Sequence, residues 1–409
     1  MNLPTRPRRT RRRPPLGGTK AEVDIDAHRC EDRSTISYLG AMMEVRGLSL
    51  ARSTPKSLVA MLASLGILLA VVPAASSALA RGVHASSPTV HLTGAGSTFD
   101  APFFAAAFAK YHEIHSNVSV SYAAVGSSKG IARFSADTVS FGASDVPIAA
   151  AEQSAAVGGA VIQVPVDLGA VVVSYHVPIA GPASPIRLTG PVIARIFLGQ
   201  ITNWNDPAIA VLNPSLGLPN LPITVIHRSD GSGTTYIFTN YLSSVSPAWA
   251  SGLGTNKSIK WPVGYGGKGS SGVAALLKEI PGSIGYFELS YAETQFLPYV
   301  LIENAAGSFV PPFPANVAAD AAMKPNISAL DFSIVDEPGS ASYPISGYSW
   351  MLLYAHQKSA RVAAALVALA TWMTHAGQDE AATHFYVPLP QKVRNLASNT
   401  LARIVGPSH

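Results

Sequence analysis

Three times along this chain an apolar run of strand character gives way to a short turn of glycines and hydroxyls, and the turn opens a helix-like segment. Val90-His91-Leu92-Thr93 leads through Gly94-Ala95-Gly96-Ser97-Thr98-Phe99 into an amphipathic stretch at 101–114. Val118-Ser119-Val120-Ser121-Tyr122 leads through Gly126-Ser127-Ser128-Lys129-Gly130 into a short helix at 131–136. Ile223-Thr224-Val225-Ile226 leads through Arg228-Ser229-Asp230-Gly231-Ser232-Gly233-Thr234-Thr235 into a helix at 236–242. Strands that alternate with helices build open α/β sheets rather than sandwiches or bundles. The remaining pattern agrees. Runs at 138–141, 161–165, 170–175, 284–287 and 348–354 read as strands, the second and third as near-continuous apolar runs of the kind buried on both faces. Segments 191–197 and 207–212 read as helices, 264–272 as a loop into a helix at 273–279, and 303–342 as an irregular connection with one helix. An Ala-rich helix at 359–375 is expected to close the ordered part, and no repeat recurs at a fixed period.

Each of these turns concentrates hydrogen-bond donors for an oxyanion. A helix start exposes free backbone N–H groups at the positive end of the helix dipole. Serine and threonine hydroxyls add donors at close range. Arg228 offers a planar fork that fits phosphate or carboxylate. The plain alternative for the 228–235 stretch is an ordinary polar turn with a helix cap.

The formal charge of +5 does not describe the folded part. Residues 1–82 carry 13 Lys/Arg and 6 Asp/Glu, whereas residues 83–409 carry 16 and 18. The basic balance therefore belongs to the leader and gives no argument for nucleic-acid binding. A nearly neutral body must hold an anion with local donors. Residues 1–41, rich in arginine, are expected to be disordered or to precede the true start, since Met42 and Met43 follow. Arg46, Arg52 and Lys56, an apolar run at 58–72 and the small residues ending Ala78-Leu79-Ala80 form a secretory signal at 42–80, with cleavage expected after Ala80. The run falls short of the roughly 20 residues that span a bilayer, although an uncleaved anchor is the alternative. The single cysteine, Cys30, lies in the leader, so no lipid anchor on a new N-terminal cysteine and no disulfide or thiol chemistry is available to the body. At 409 residues the chain has room for two domains.

The motifs LTGAGSTF (92–99), VGSSKG (125–130), VSFGASDVP (139–147), HRSDGSGTTYIFTNYL (227–242) and KWPVGYGGKGSSGVA (260–274), in that order, resemble the periplasmic phosphate-binding proteins of high-affinity phosphate ABC transporters. The resemblance covers nearly all of the chain from Leu92 onward. It implies a two-lobed periplasmic-binding-protein clamshell, type II-like, with a mixed sheet flanked by helices in each lobe and two hinge crossovers. Lobe 1 would comprise 83–167 and 346–409, and lobe 2 168–345, with crossings near Val166–Leu168 and Ser346–Tyr348. It places phosphate contacts on Thr98 and Phe99, Ser127, Asp145, Arg228, Ser232, Gly233 and Thr234. Asp230 would brace the arginine, with Ser97 and Ser128 in support. A carboxylate such as Asp145 repels an anion unless it accepts the proton of a protonated phosphate oxygen, which sulfate lacks at neutral pH. Lys129 departs from the small residue usual in the family and adds a positive charge beside the site. The implied activity is extracytoplasmic capture of inorganic phosphate by a monomer and its delivery to a membrane permease, with no catalytic residue, metal or cofactor.

Rival readings share these residues. Gly126–Gly130 fits the G-x-S-x-G elbow of serine hydrolases, but no spacing singles out a base among His227, His356, His375 and His384. A secreted phosphatase acting on phosphomonoesters, or a stand-alone phosphate scavenger or sensor, are further alternatives. His112 and His115 read as a surface pair rather than metal ligands. Trp204, Trp261 and Trp350 read as core, and Tyr265 and Tyr286 as aromatics that could reach a cleft.

Overall fold

The computed structural model describes residues 89–179 and 184–407. The leader, the signal segment with its Ala80 site and Cys30 lie outside those residues. Eleven strands are found among the described residues: β1 (Val90–Gly96), β2 (Val118–Ala124), β3 (Phe141–Ser144), β4 (Val161–His176), β5 (Arg187–Leu188), β6 (Thr224–Arg228), β7 (Tyr265–Gly267), β8 (Ser283–Glu288), β9 (Leu301–Glu303), β10 (Phe309–Val310) and β11 (Ser346–Tyr354). Eight form one curled mixed sheet in the order β2-β1-β3-β11-β4-β8-β6-β7, and β10-β9-β5 form a small second sheet. Helices flank both halves, giving the two-lobed α/β architecture expected from the motifs.

β4 carries the organisation. The two β runs expected at 161–165 and 170–175 are one 16-residue strand, because the residues between them are paired. Val161 to Ala170 pair antiparallel with β11, and Val171 to His176 pair antiparallel with β8. The register slips between Ser349 and Trp350, opposite Asp167 and Pro165. That bulge accommodates Pro165, which cannot donate to a ladder. The crossing segments expected at 166–168 and 346–348 lie beside each other in this ladder, next to the point where β4 changes partner.

Strand direction then places the loops. β1 runs parallel to β2 and β3, and β3 and β4 are both antiparallel to β11, so β1 to β3 point the same way as β4. β6 is parallel to β8, which is antiparallel to β4. The carboxyl ends of β1, β2 and β3 therefore face the carboxyl end of β6 across the partner switch, and ligands of open α/β sheets bind outside such ends.

The core follows the apolar runs. β8 and β11 are buried along their whole length. Trp204 and Trp350 are buried, and Trp261 is partly buried against Phe197, Trp249 and Tyr286. In one half Phe104 meets Tyr122 edge-on at 5.0 Å, and in the other Phe238 stacks on Tyr286 at 4.3 Å. Such pairs add roughly 0.5–1.5 kcal/mol each beyond area burial. The helix Ala360–Thr374 does not end the ordered chain as expected. Helices Gln378–Thr383 and Gln391–Leu401 follow. The last buries Val393, Ala397 and Leu401, spaced by four, and packs on β4. Among the described residues no helix is long and apolar enough to cross a membrane.

Helix Ser127–Ser135 lies so close to β1 that only glycine fits at position 130. A Cβ there would stand 2.2 Å from the Cα of Gly96 and 2.7 Å from the Ala95 carbonyl oxygen, and backbone cannot step aside. Gly130→Ala is expected to lower stability by about 1–3 kcal/mol. Urea denaturation checks this as a lower midpoint at unchanged slope, and an unmoved midpoint would contradict the packing described.

Candidate anion-binding site

The first loop leaves β1 at Ser97, whose Oγ accepts from Phe99 N at 2.9 Å. Three tyrosines tether its successive carbonyls: Tyr122 donates to Ser97 O (2.8 Å), Tyr291 to Thr98 O (2.7 Å) and Tyr386 to Phe99 O. Oxygens that would repel an anion are thus engaged elsewhere. The second loop is pinned by Val125 N and Gly126 N, both donating to Gly96 O. Gly126 has φ 89°, a conformation that favours glycine, and it precedes the helix that begins at Ser127.

β6 ends at Arg228, whose side chain is 1% exposed. Its Nε and Nη2 donate to Asp230 Oδ1 (2.8 Å) and Oδ2 (2.6 Å), a two-pronged pair. Its Nη1 faces Thr234 Oγ1 at 3.5 Å and Ser270 Oγ at 3.4 Å, and its backbone N–H reaches the Tyr286 hydroxyl. Burial pushes the Asp230 carboxyl up, but the hydrogen bonds and charge of Arg228 outweigh it and hold the group below the ordinary aspartate value. Ser232 caps the helix Gly233–Val245, accepting from Thr235 N at 3.2 Å. A hydroxyl that accepts there keeps its own proton to donate.

The two halves meet through these loops. Gly233 N donates to Ser127 Oγ at 3.0 Å, and Ser128 N to Gly231 O at 3.1 Å. Thr234 Oγ1 donates to Asp145 Oδ2 at 3.1 Å, and Ser270 N to Thr98 Oγ1 at 3.2 Å. Asp145, buried at the end of β3, also accepts from Ser349 Oγ at 3.1 Å. Burial raises its carboxyl above the ordinary value, against the opposing effects of Ser97, Arg228, Asp100 and Ser349. Thr98, Phe99, Ser127, Asp145, Arg228, Ser232, Gly233 and Thr234 are thus buried together with Ser97, and Asp230 is paired with the arginine. Lys129 is exposed on the helix behind Ser127.

Other residues at the site were not foreseen. The loop 264–272 contains the edge strand β7, and its helix begins at Gly269 rather than at 273, which brings Gly269 N onto Asp230 and Ser270 between Thr98 and Arg228. Ser349, Asp100, Asp167 and Glu288 are buried close by, and an acid inside the apolar run at 164–171 was the available signal for Asp167. Tyr286 reaches the site wall, bonding Thr235 Oγ1 at 2.6 Å, whereas Tyr265 is exposed. Three of the four histidines weighed as a hydrolase base are engaged elsewhere. His227 Nδ1 contacts Arg228 O and its ring stacks on Trp261, while His375 and His384 contact their own helices. His112 Nδ1 contacts Val118 O, and no cluster of three or more metal-ligating side chains occurs among the described residues.

Neutral donors, one tethered guanidinium and one acid, enclosed between halves that share β4, define a solute-binding protein of the periplasmic-binding-protein class. Comparison with known proteins agrees: a profile of the PBP superfamily domain matches residues 82–376. The phosphate-binding protein PstS of Xylella fastidiosa strain 9a5c is 40% identical over 304 residues, spanning 74% of this chain and 82% of that protein. PstS of Pasteurella multocida strain Pm70 is also 40% identical, spanning 74% and 87%. The high affinity periplasmic phosphate-binding protein PfluDING, solved with phosphate bound, superposes with a TM-score of 0.59 at 19% identity, over 78% of this chain and 100% of that one. The phosphate-binding protein of Stenotrophomonas maltophilia gives 0.58 at 22% identity, over 76% and 93%. The chain belongs to the PBP superfamily and, within it, to the family of PstS phosphate-binding proteins.

Removing Asp230 would leave Arg228 buried and unpaired, so Asp230→Ala is expected to destabilise the fold by about 3–5 kcal/mol at neutral pH. Because the folded-state pKa of Asp230 is lowered, the pair's contribution is present above the ordinary aspartate range and disappears as pH falls through the lowered value. Denaturation of the two proteins over an acid series should show the gap closing, and no gap at neutral pH would refute the role given to the pair.

Proposed function

We propose that this protein binds inorganic phosphate between its two lobes, closes about the paired strands β4 and β11, and delivers the ion to a membrane permease. The observation that carries this reading is Asp145, a buried acid in contact with donor groups from the opposite loop. An anion that carries a proton gives that carboxylate a hydrogen bond, and one without a proton meets only repulsion. Hydroxyls, backbone amides and Arg228 replace the water that the ligand loses, since an unmet donor or acceptor costs about 1–3 kcal/mol. The relatives named above are phosphate-binding proteins, which supports the same ligand. The lobes would divide near residues 167/168 and 345/346, a few residues before β4 changes partner between Ala170 and Val171. Closure would join surfaces from both lobes, so a permease can distinguish the loaded from the empty protein. Export through the 42–80 signal and action as a monomer complete the reading.

Calorimetric titration with phosphate, sulfate and a phosphomonoester tests it. Phosphate is expected to bind and sulfate to be rejected by roughly ten-thousandfold, as sites built around a ligand's proton reject an analogue that lacks it. Asp145→Asn, whose amide can donate to an unprotonated oxygen, is expected to narrow that ratio by about a hundredfold. Equal affinity of the unmodified protein for both ions would sink the reading.

A further inference from the structure

Behind Asp145 stands a set of acids that anion binding does not by itself explain. Asp100 follows the first loop, Asp167 lies in β4 opposite Ser349, and Glu288 ends β8. All three are fully buried. Neither oxygen of Asp100, neither oxygen of Asp167 and not Oε1 of Glu288 has a hydrogen-bond partner. Asp100 occupies the N-cap position of helix Ala101–Ile114 but makes no capping bond, although an aspartate there ordinarily does. Its carboxyl instead faces Asp145, Asp167 and Ser349.

Two buried carboxylates face to face are two acceptors with nothing to exchange, and the arrangement holds only if one carries a proton. The surroundings decide which. Asp145 accepts from Ser349 and Thr234 and feels the charge of Arg228. Asp100 shares Ser349 with it but has neither Thr234 nor the charge of Arg228 beside it, and Asp167 repels it further. We propose that Asp100 is the protonated partner: its carboxyl donates a hydrogen bond to Asp145 and so keeps the acid that meets the ligand in its anionic, proton-accepting form.

The other groups facing this pair agree. From β4 comes Asp167, from β8 Glu288, and Tyr122, Tyr291 and Tyr386 bring phenols. Arg228 is already held by Asp230. Burial, then the charges of Asp167 and Asp145, push the Asp100 carboxyl well above its ordinary value, and burial pushes Glu288 up to about 8. Asp100 is thus a positioning residue for proton recognition. Its effect on affinity rests on phosphate being the ligand, whereas the proton it holds belongs to the free protein.

The test has two arms on the full-length chain. In the first, inorganic phosphate is titrated by calorimetry from mildly acidic to alkaline pH. Asp100→Ala is expected to weaken phosphate binding by about tenfold to a hundredfold, the loss of one hydrogen bond to a charged acceptor. Asp100→Asn keeps a donor and should restore that affinity. It should also remove the alkaline decline that ionisation of Asp100 imposes on the unmodified protein. In the second arm, infrared spectra of the free proteins are recorded with carboxyl carbons isotope-labelled on aspartate. One protonated-carboxyl band should vanish in Asp100→Asn. Failure of the unmodified protein to bind phosphate would overturn the ligand while leaving the band to decide the proton. An unchanged band, or binding by Asp100→Ala equal to the unmodified protein at every pH, would overturn the inference.

Discussion

The antiparallel pairing of β4, first with β11 and then with β8, is the constraint on which the rest of the molecule depends. One strand serves two halves, so the direction of every other strand is set relative to it. Because β8 and β6 run against β4 while β1 to β3 run with it, their loops can only meet head to head. The site is a consequence of strand direction before any side chain is considered. It is also why a helix start, with its free amides, is presented from each side at the same place.

The electrostatics of that meeting place are unusual in sign. An anion site would be expected to gather positive charge, yet Arg228 is neutralised by Asp230 and the neighbouring buried ionisable groups are mostly acids. Affinity must then come from dipoles that are already oriented: hydroxyls that cap helices, amides at helix starts and a guanidinium locked in place. Oriented neutral donors discriminate by geometry and proton count, whereas free cations would attract any anion. The tyrosines that hold the first loop's carbonyls serve the same end, since they remove acceptors from the surface the ion would meet.

Much of this was legible in the amino-acid order because each loop announces itself locally. Glycine beside hydroxyls between an apolar run and a helical one is a short-range signal, and it marked Thr98, Ser127, Arg228 and Thr234. What stayed hidden depends on long-range register. Ser349 reads as an ordinary strand residue until β11 is laid against β3 and β4, and Asp100 reads as a helix cap until its carboxyl is seen turned inward. Ser270 was missed because the helix starts at Gly269, four residues earlier than the apolar pattern suggested. The two runs in β4 looked separate because Pro165 ordinarily breaks a strand, and only the bulge reconciles them. The closing helix Gln391–Leu401 was overlooked because three small-to-medium apolar residues spaced by four are a faint stripe in a polar segment.

Three glycines at the cleft have neighbours where a side chain would begin. A Cβ would lie 2.2 Å from Asp230 Oδ2 at Gly126, 2.2 Å from Ser128 Oγ at Gly231 and 2.5 Å from Asp145 Cβ at Gly233. Opposing walls therefore approach so closely that one of them is bare main chain at these positions. A residue with a Cβ at any of the three would press on Asp230, Ser128 or Asp145 from the facing loop. The mutual spacing of the loops thus rests on the three glycines as much as on the hydrogen bonds that join them.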